Sequence, residues 1–158
     1  MSSRTIRQTQ QKEGNALRIL LLVIYTLFLA SLLFQRRAFS YDSYLEMVKG
    51  NVNLQPLATV KLYLHALGNE SLRQEALINL FGNILLFLPY GYLLPKLFPS
   101  CRRAVLLLAL TLLVILGVET LQLLTLRGIF DVDDILLNVL GVFSGYVLWR
   151  LSKRSLTV

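Results

Sequence analysis

The chain has 158 residues, 55% of them hydrophobic and only 16% charged. Soluble domains carry about a quarter charged residues, so the composition argues against a soluble enzyme or binding module and for one integral membrane domain. The net charge of +7 does not point to nucleic acid, because the basic residues cluster at the ends of apolar runs and no nucleic-acid motif accompanies them.

Residues 1–16 are polar and basic, with Arg4, Arg7 and Lys12, and read as a cytoplasmic tail, disordered or lying on the membrane surface. Leu17 to Phe34 is long enough for a first span, because about twenty residues cross the hydrocarbon core. No small-residue cleavage site follows it, so it reads as retained rather than as a signal peptide. Arg36 and Arg37 end it.

Residues 35–76 form a long outer loop. Pro56 suits the first turn of a short helix, with Leu57, Val60, Leu64 and Leu67 on one side. Too short to span, this piece reads as an interfacial amphipathic helix. His65 within it reads as an ordinary surface histidine. Ser71-x-x-Gln74 has the spacing of a capping box for the next helix.

The second span is expected over 77–98, the third over 104–126 and the fourth over 135–151, with residues 152–158 as a C-terminal tail. Pro89 falls inside the second span and predicts a kink. Tyr90, Tyr92 and Trp149 read as ordinary span or interface aromatics. The fold class is therefore all-α, a small bundle of four transmembrane helices with a long outer loop. Cys101, the single cysteine, excludes an internal disulfide.

The N-terminus, the Lys96–Arg103 turn and the C-terminal tail share one side, which carries most of the cations and Glu13 as its only acid. The other side carries Asp42, Glu46, Glu70, Glu75, Asp131, Asp133 and Asp134. The positive-inside rule makes the first side cytoplasmic, with both termini there.

This orientation gathers polar residues from three spans at one depth, under the outer surface. Asn79 and Asn83 open the second span, Glu119 and Gln122 lie near the end of the third, and Asp131, Asp134 and Asn138 open the fourth. Glu119 sits on the order of 10 Å below its helix end, where a carboxylate costs about 2.5–3.5 kcal/mol in lipid. Helical phase puts Asp131, Asp134, Asn138, Gly141 and Gly145 on one face and points Asp133 elsewhere. Gly141-x-x-x-Gly145 allows another helix to approach closely. Arg127 is the nearest cation able to balance the acids.

At these residues the chain resembles the VanZ-like family of bacterial membrane proteins. The likeness covers Asn79-Leu-Phe-Gly-Asn83 through Phe87-Leu-Pro89-Tyr-Gly91, then Glu119-x-x-Gln122, Arg127, Asp131-Val-Asp133-Asp134, Asn138-x-x-Gly141 and Gly145. The upstream Asn53-Leu-x-Pro56 resembles that family's outer-loop element. The resemblance implies a multi-pass protein of the bacterial cytoplasmic membrane. Its founding member gives low-level resistance to teicoplanin, a lipid-tailed glycopeptide.

The reading that follows is a polar site for a lipid headgroup or lipid-tailed molecule. Asn79, Asn83, Gln122, Arg127 and Asn138 would contact it, while Glu119, Asp131 and Asp134 set charge or carry a proton. Gly141 and Gly145 serve packing. An enzyme hydrolysing a lipid headgroup with metal help, and a non-catalytic scaffold, are the alternatives. No catalytic residue is assigned, since no Ser-His or Cys-His pair is placed to act. Glu119, Asp131 and Asp134 are hard oxygen ligands without a coordinating loop, so neither metal nor cofactor is expected. The partner is a membrane lipid or lipid-tailed molecule rather than nucleic acid.

Overall fold

The computed structural model describes residues 3–34 and 50–154, with side chains from residue 13 to residue 153. The expected basic stop at Arg36–Arg37, the first part of the expected outer loop at 35–49, and residues 155–158 lie outside the described residues.

Among the described residues, α1 runs over Ser3–Leu33, a short α2 over Ala58–Ala66, α3 over Arg73–Leu97, α4 over Ala104–Leu124 and α5 over Val132–Arg154. Four of them, α1 and α3 to α5, are long and apolar enough to cross a membrane. Residues 3–16, expected as a tail, are helical and form the first part of α1. Its Gln, Arg, Lys and Glu residues are good helix formers, and no proline interrupts them. A 3₁₀ turn, Pro99–Arg102, joins α3 to α4.

Two starts differ from the expectation. Ser71 does not cap α3: its N–H and hydroxyl both donate to Asn69 Oδ1, at 3.0 and 2.8 Å, and Leu72 precedes the helix without a side-chain cap. Asparagine at 69 wins because its short acceptor reaches the amide two residues on. Pro56 lies in the turn before α2 rather than in its first turn.

α3 and α5 form the tight pair of the bundle, and they run parallel. A Cβ at Gly141 would lie 2.3 Å from the Ile84 carbonyl oxygen, and one at Gly145 would lie 2.0 Å from that of Leu88. Reciprocally, a Cβ at Gly91 would meet the Val142 carbonyl at 1.9 Å. Backbones this close gain dispersion and Cα–H···O contacts, which drive association where lipid removes the hydrophobic incentive. α3 continues as helix through Pro89 and the buried Pro95.

α4 lies alongside, running the other way. It buries one stripe: Leu107, Thr111, Ile115, Glu119 and Gln122. α1 is the peripheral helix, with only 6% of its spanning window buried. Two hydroxyl bonds tie it to α3, Tyr25 to the Leu86 carbonyl at 2.7 Å and Tyr90 to Thr26 Oγ1 at 3.0 Å.

The loop side is closed by a two-residue parallel pair, β1 (Val52–Asn53) with β2 (Phe130–Asp131), in register Val52↔Phe130 and Asn53↔Asp131. This pair lays the 50–66 segment across the start of α5.

Candidate functional site

The polar layer begins where β2 turns into α5. Asp131 is the last residue before the helix, and its Oδ1 accepts the Asp133 N–H at 2.8 Å, a side-chain N-cap. Its Oδ2 accepts the Thr59 hydroxyl at 2.5 Å and the Asn53 amide at 3.2 Å. One carboxylate therefore ends a strand, starts a helix and grips the preceding loop.

Asp133, which helical phase points away from the Asp131–Asp134–Asn138 face, is the most buried acid of the group, at 0% exposure. Its two oxygens accept the backbone N–H groups of Leu57 at 2.6 Å and Val60 at 3.0 Å. These are amides that the start of α2 leaves without intrahelical partners, so Asp133 caps a helix distant in sequence. Leu57 has φ 63°, the left-handed region, which costs a non-glycine residue about 1–2 kcal/mol. A charge-assisted bond of about 1.5–3 kcal/mol to its N–H offsets that cost. Phase within α5 cannot reveal this role, because the partner lies 76 residues away. The one available signal is the Asn53-Leu-x-Pro56 element, whose Asn53 donates to the neighbouring Asp131.

The remaining predicted residues divide by partner. Asn83 on α3 donates to Asp134 Oδ1 on α5 at 2.6 Å, joining two of the three polar faces. Asn79, half-buried, turns back to the Glu75 carbonyl of its own helix at 2.9 Å. Glu119 and Gln122 are each 5% exposed on α4. Gln122 donates to the Leu33 carbonyl at the end of α1, at 2.8 Å. Arg127 is exposed, and its guanidinium donates to the Phe34 carbonyl at 3.3 Å rather than to an acid. Asn138 is 3% exposed and its Oδ1 has no partner, as is true of Nδ2 of the equally buried Asn51. Gly141 and Gly145 lie against α3, as described above.

Below Gln122 and Arg127, α1, α3 and α4 enclose an apolar groove of about 630 Å³. Leu33 and Phe34 close its upper end, Phe98 and Cys101 its lower end, and Leu110 and Val114 form one wall. On α4 it runs from Leu107 to Val118, ~17 Å at the rise of an α-helix. Leu110, Val114 and Phe98 are 47%, 61% and 47% exposed, so the groove opens on the lipid-facing side. Sequence periodicity did not expose it, because it arises from the stand-off of α1. Among the described residues, no three His, Cys, Asp or Glu side chains are grouped to hold a metal ion.

A family profile described as VanZ/LLP1 matches residues 22–153. The chain belongs to the VanZ/LLP1 family. The match runs from inside α1 to the end of α5, so this VanZ/LLP1 protein is a multi-pass membrane protein over most of its length. No curated protein and no solved structure matches the chain.

Proposed function

We propose that this VanZ/LLP1 protein binds a lipid or lipid-tailed molecule, with the tail in the α1–α3–α4 groove and the polar head at the rim above it. The observation that carries the reading is the coincidence of groove and polar residues. Gln122 and Arg127 hold the carbonyls of Leu33 and Phe34, the two residues that close the groove's upper end. A ~17 Å apolar slot matches one leaflet, about half of a ~30 Å hydrocarbon core. Glu119 stands one residue beyond the groove-lining Val118.

The asymmetry of basic residues supports an outward-facing rim, and with it an outer-leaflet ligand. A lipid-tailed glycopeptide such as teicoplanin has the same two-part chemistry, so low-level resistance and envelope homeostasis both follow from this reading. Asp131 and Asp133 have a different role. Their oxygens are engaged with the 53–60 segment, which supports a scaffolding function for these two acids.

The test is untargeted lipid mass spectrometry on the purified protein, wild type beside Val114→Trp, which fills the groove, and Glu119→Gln. A lipid class that co-purifies with wild type should fall severalfold in Val114→Trp. Equal lipid content in all three proteins overturns the proposal.

A further inference from the structure

The end of the bundle opposite the acid layer holds a second cavity, of about 360 Å³, lined by Arg102, Trp149, Arg150 and Lys153. It is formed where the 3₁₀ turn meets the last turns of α5. All four lining side chains are hydrogen-bond donors, and none is an acceptor. Trp149 is 5% exposed, yet its indole N–H has no partner, and leaving a buried donor unpaired is destabilising.

The donors are held in place by the fold. The Tyr146 hydroxyl donates to the Arg102 carbonyl at 2.8 Å, which pins the turn against α5. The Arg102 Nε donates to the Pro95 carbonyl at 3.3 Å, and Arg150 to the Tyr146 hydroxyl at 3.4 Å. These bonds go to neutral acceptors and leave most of each guanidinium's five N–H groups directed elsewhere. The Lys153 ammonium sits 4.9 Å from the Trp149 ring centroid, within the range of a cation–π contact. Isolated anchoring cations reach outward to water one by one. Here three cations surround one cavity that the Trp149 side chain also lines.

We propose that this cavity binds a phosphoryl oxyanion. Guanidinium groups match its oxygens in paired geometry, the Lys153 ammonium adds a third charge, and the N-terminus of α4, which starts two residues after Arg102, adds positive potential. Basic pockets between helix ends are places where phospholipid headgroups bind. This site is separate from the groove rim and stands or falls independently of the ligand proposed there.

Trp149 is the only tryptophan in the chain, so its emission reports on the cavity directly. The full-length protein in neutral detergent is titrated in three arms: inorganic phosphate, mixed micelles with phosphatidylglycerol, and mixed micelles with phosphatidylcholine. A saturable change with phosphate and phosphatidylglycerol establishes a general phosphoryl site. A change with phosphatidylglycerol alone assigns it to a lipid phosphate. Arg150→Gln should weaken the apparent affinity roughly tenfold, the scale of one charge-assisted bond, whereas Arg103→Gln, which removes a nearby charge outside the cavity lining, should not. No saturable change with either phosphate or phosphatidylglycerol overturns the proposal, as does equal weakening by Arg103→Gln and Arg150→Gln.

Discussion

Asp133 shows what one buried carboxylate contributes at the water–lipid boundary. It carries no ligand-facing oxygen: both accept amides from the start of α2. It also stabilises the left-handed Leu57. Asp133→Ala should therefore cost ~3 kcal/mol, two charge-assisted bonds at about 1.5 kcal/mol each, read as a lower unfolding midpoint in detergent. Adding Leu57→Gly should recover part of the loss, because glycine occupies that φ without penalty. If Asp133→Ala unfolds at the wild-type temperature, the interaction between α5 and the 57–60 amides does not hold the loop.

At the scale of elements, the α3–α5 pair depends on the absence of side-chain atoms. Gly91, Gly141 and Gly145 each face a carbonyl oxygen of the opposite helix, and a methyl group at any of them would overlap it. Gly145→Ala should force the helices apart and destabilise by about 1–3 kcal/mol, the usual range for overpacking. Gly117 on α4 is the internal comparison, since a Cβ there meets nothing within 4 Å. Gly117→Ala should be neutral or raise stability by up to ~1 kcal/mol through helix propensity. Parallel thermal melts of the two variants check this, and equal effects would show that the contact is loose. Sequence spacing indicated that Gly141 and Gly145 share a close-packing face. It did not name the partner, because the reciprocal Gly91 lies on another helix.

Over the whole molecule, a tight α3–α5 core with α4 beside it contrasts with the lightly attached α1, and the groove lies at that junction. Cys101 closes its lower end. Burial in the turn pushes the Cys101 thiol above its ordinary value of 9.0. Because the thiolate is the reactive form, neutral maleimide should label folded protein at pH 7 at least about tenfold more slowly than denatured protein. Labelling should accelerate as pH rises past the ordinary thiol value. A folded-state rate equal to the denatured rate would mean that the turn does not pack as described.

Four apolar runs, their basic flanks and the spaced polar motif were legible from the chain alone, and they determined a four-span helical protein of this family. Span length and hydropathy are local properties, dictated by bilayer thickness and by the cost of unpaired backbone in lipid. That Asn83 and Asp134 come to one level was legible too, since helical phase and the alternating direction of successive spans are enough to infer it. Tertiary structure alone decided the partners. Asp133 caps a helix 76 residues earlier in the chain, Gln122 reaches back to α1 rather than to α3 or α5, and Arg127 meets a carbonyl instead of an acid. It also decided where empty space remains: beside α1 for the apolar groove, and around Trp149 for the basic cavity. Periodicity assigns a residue to a face, but the crossing of helices determines what that face meets.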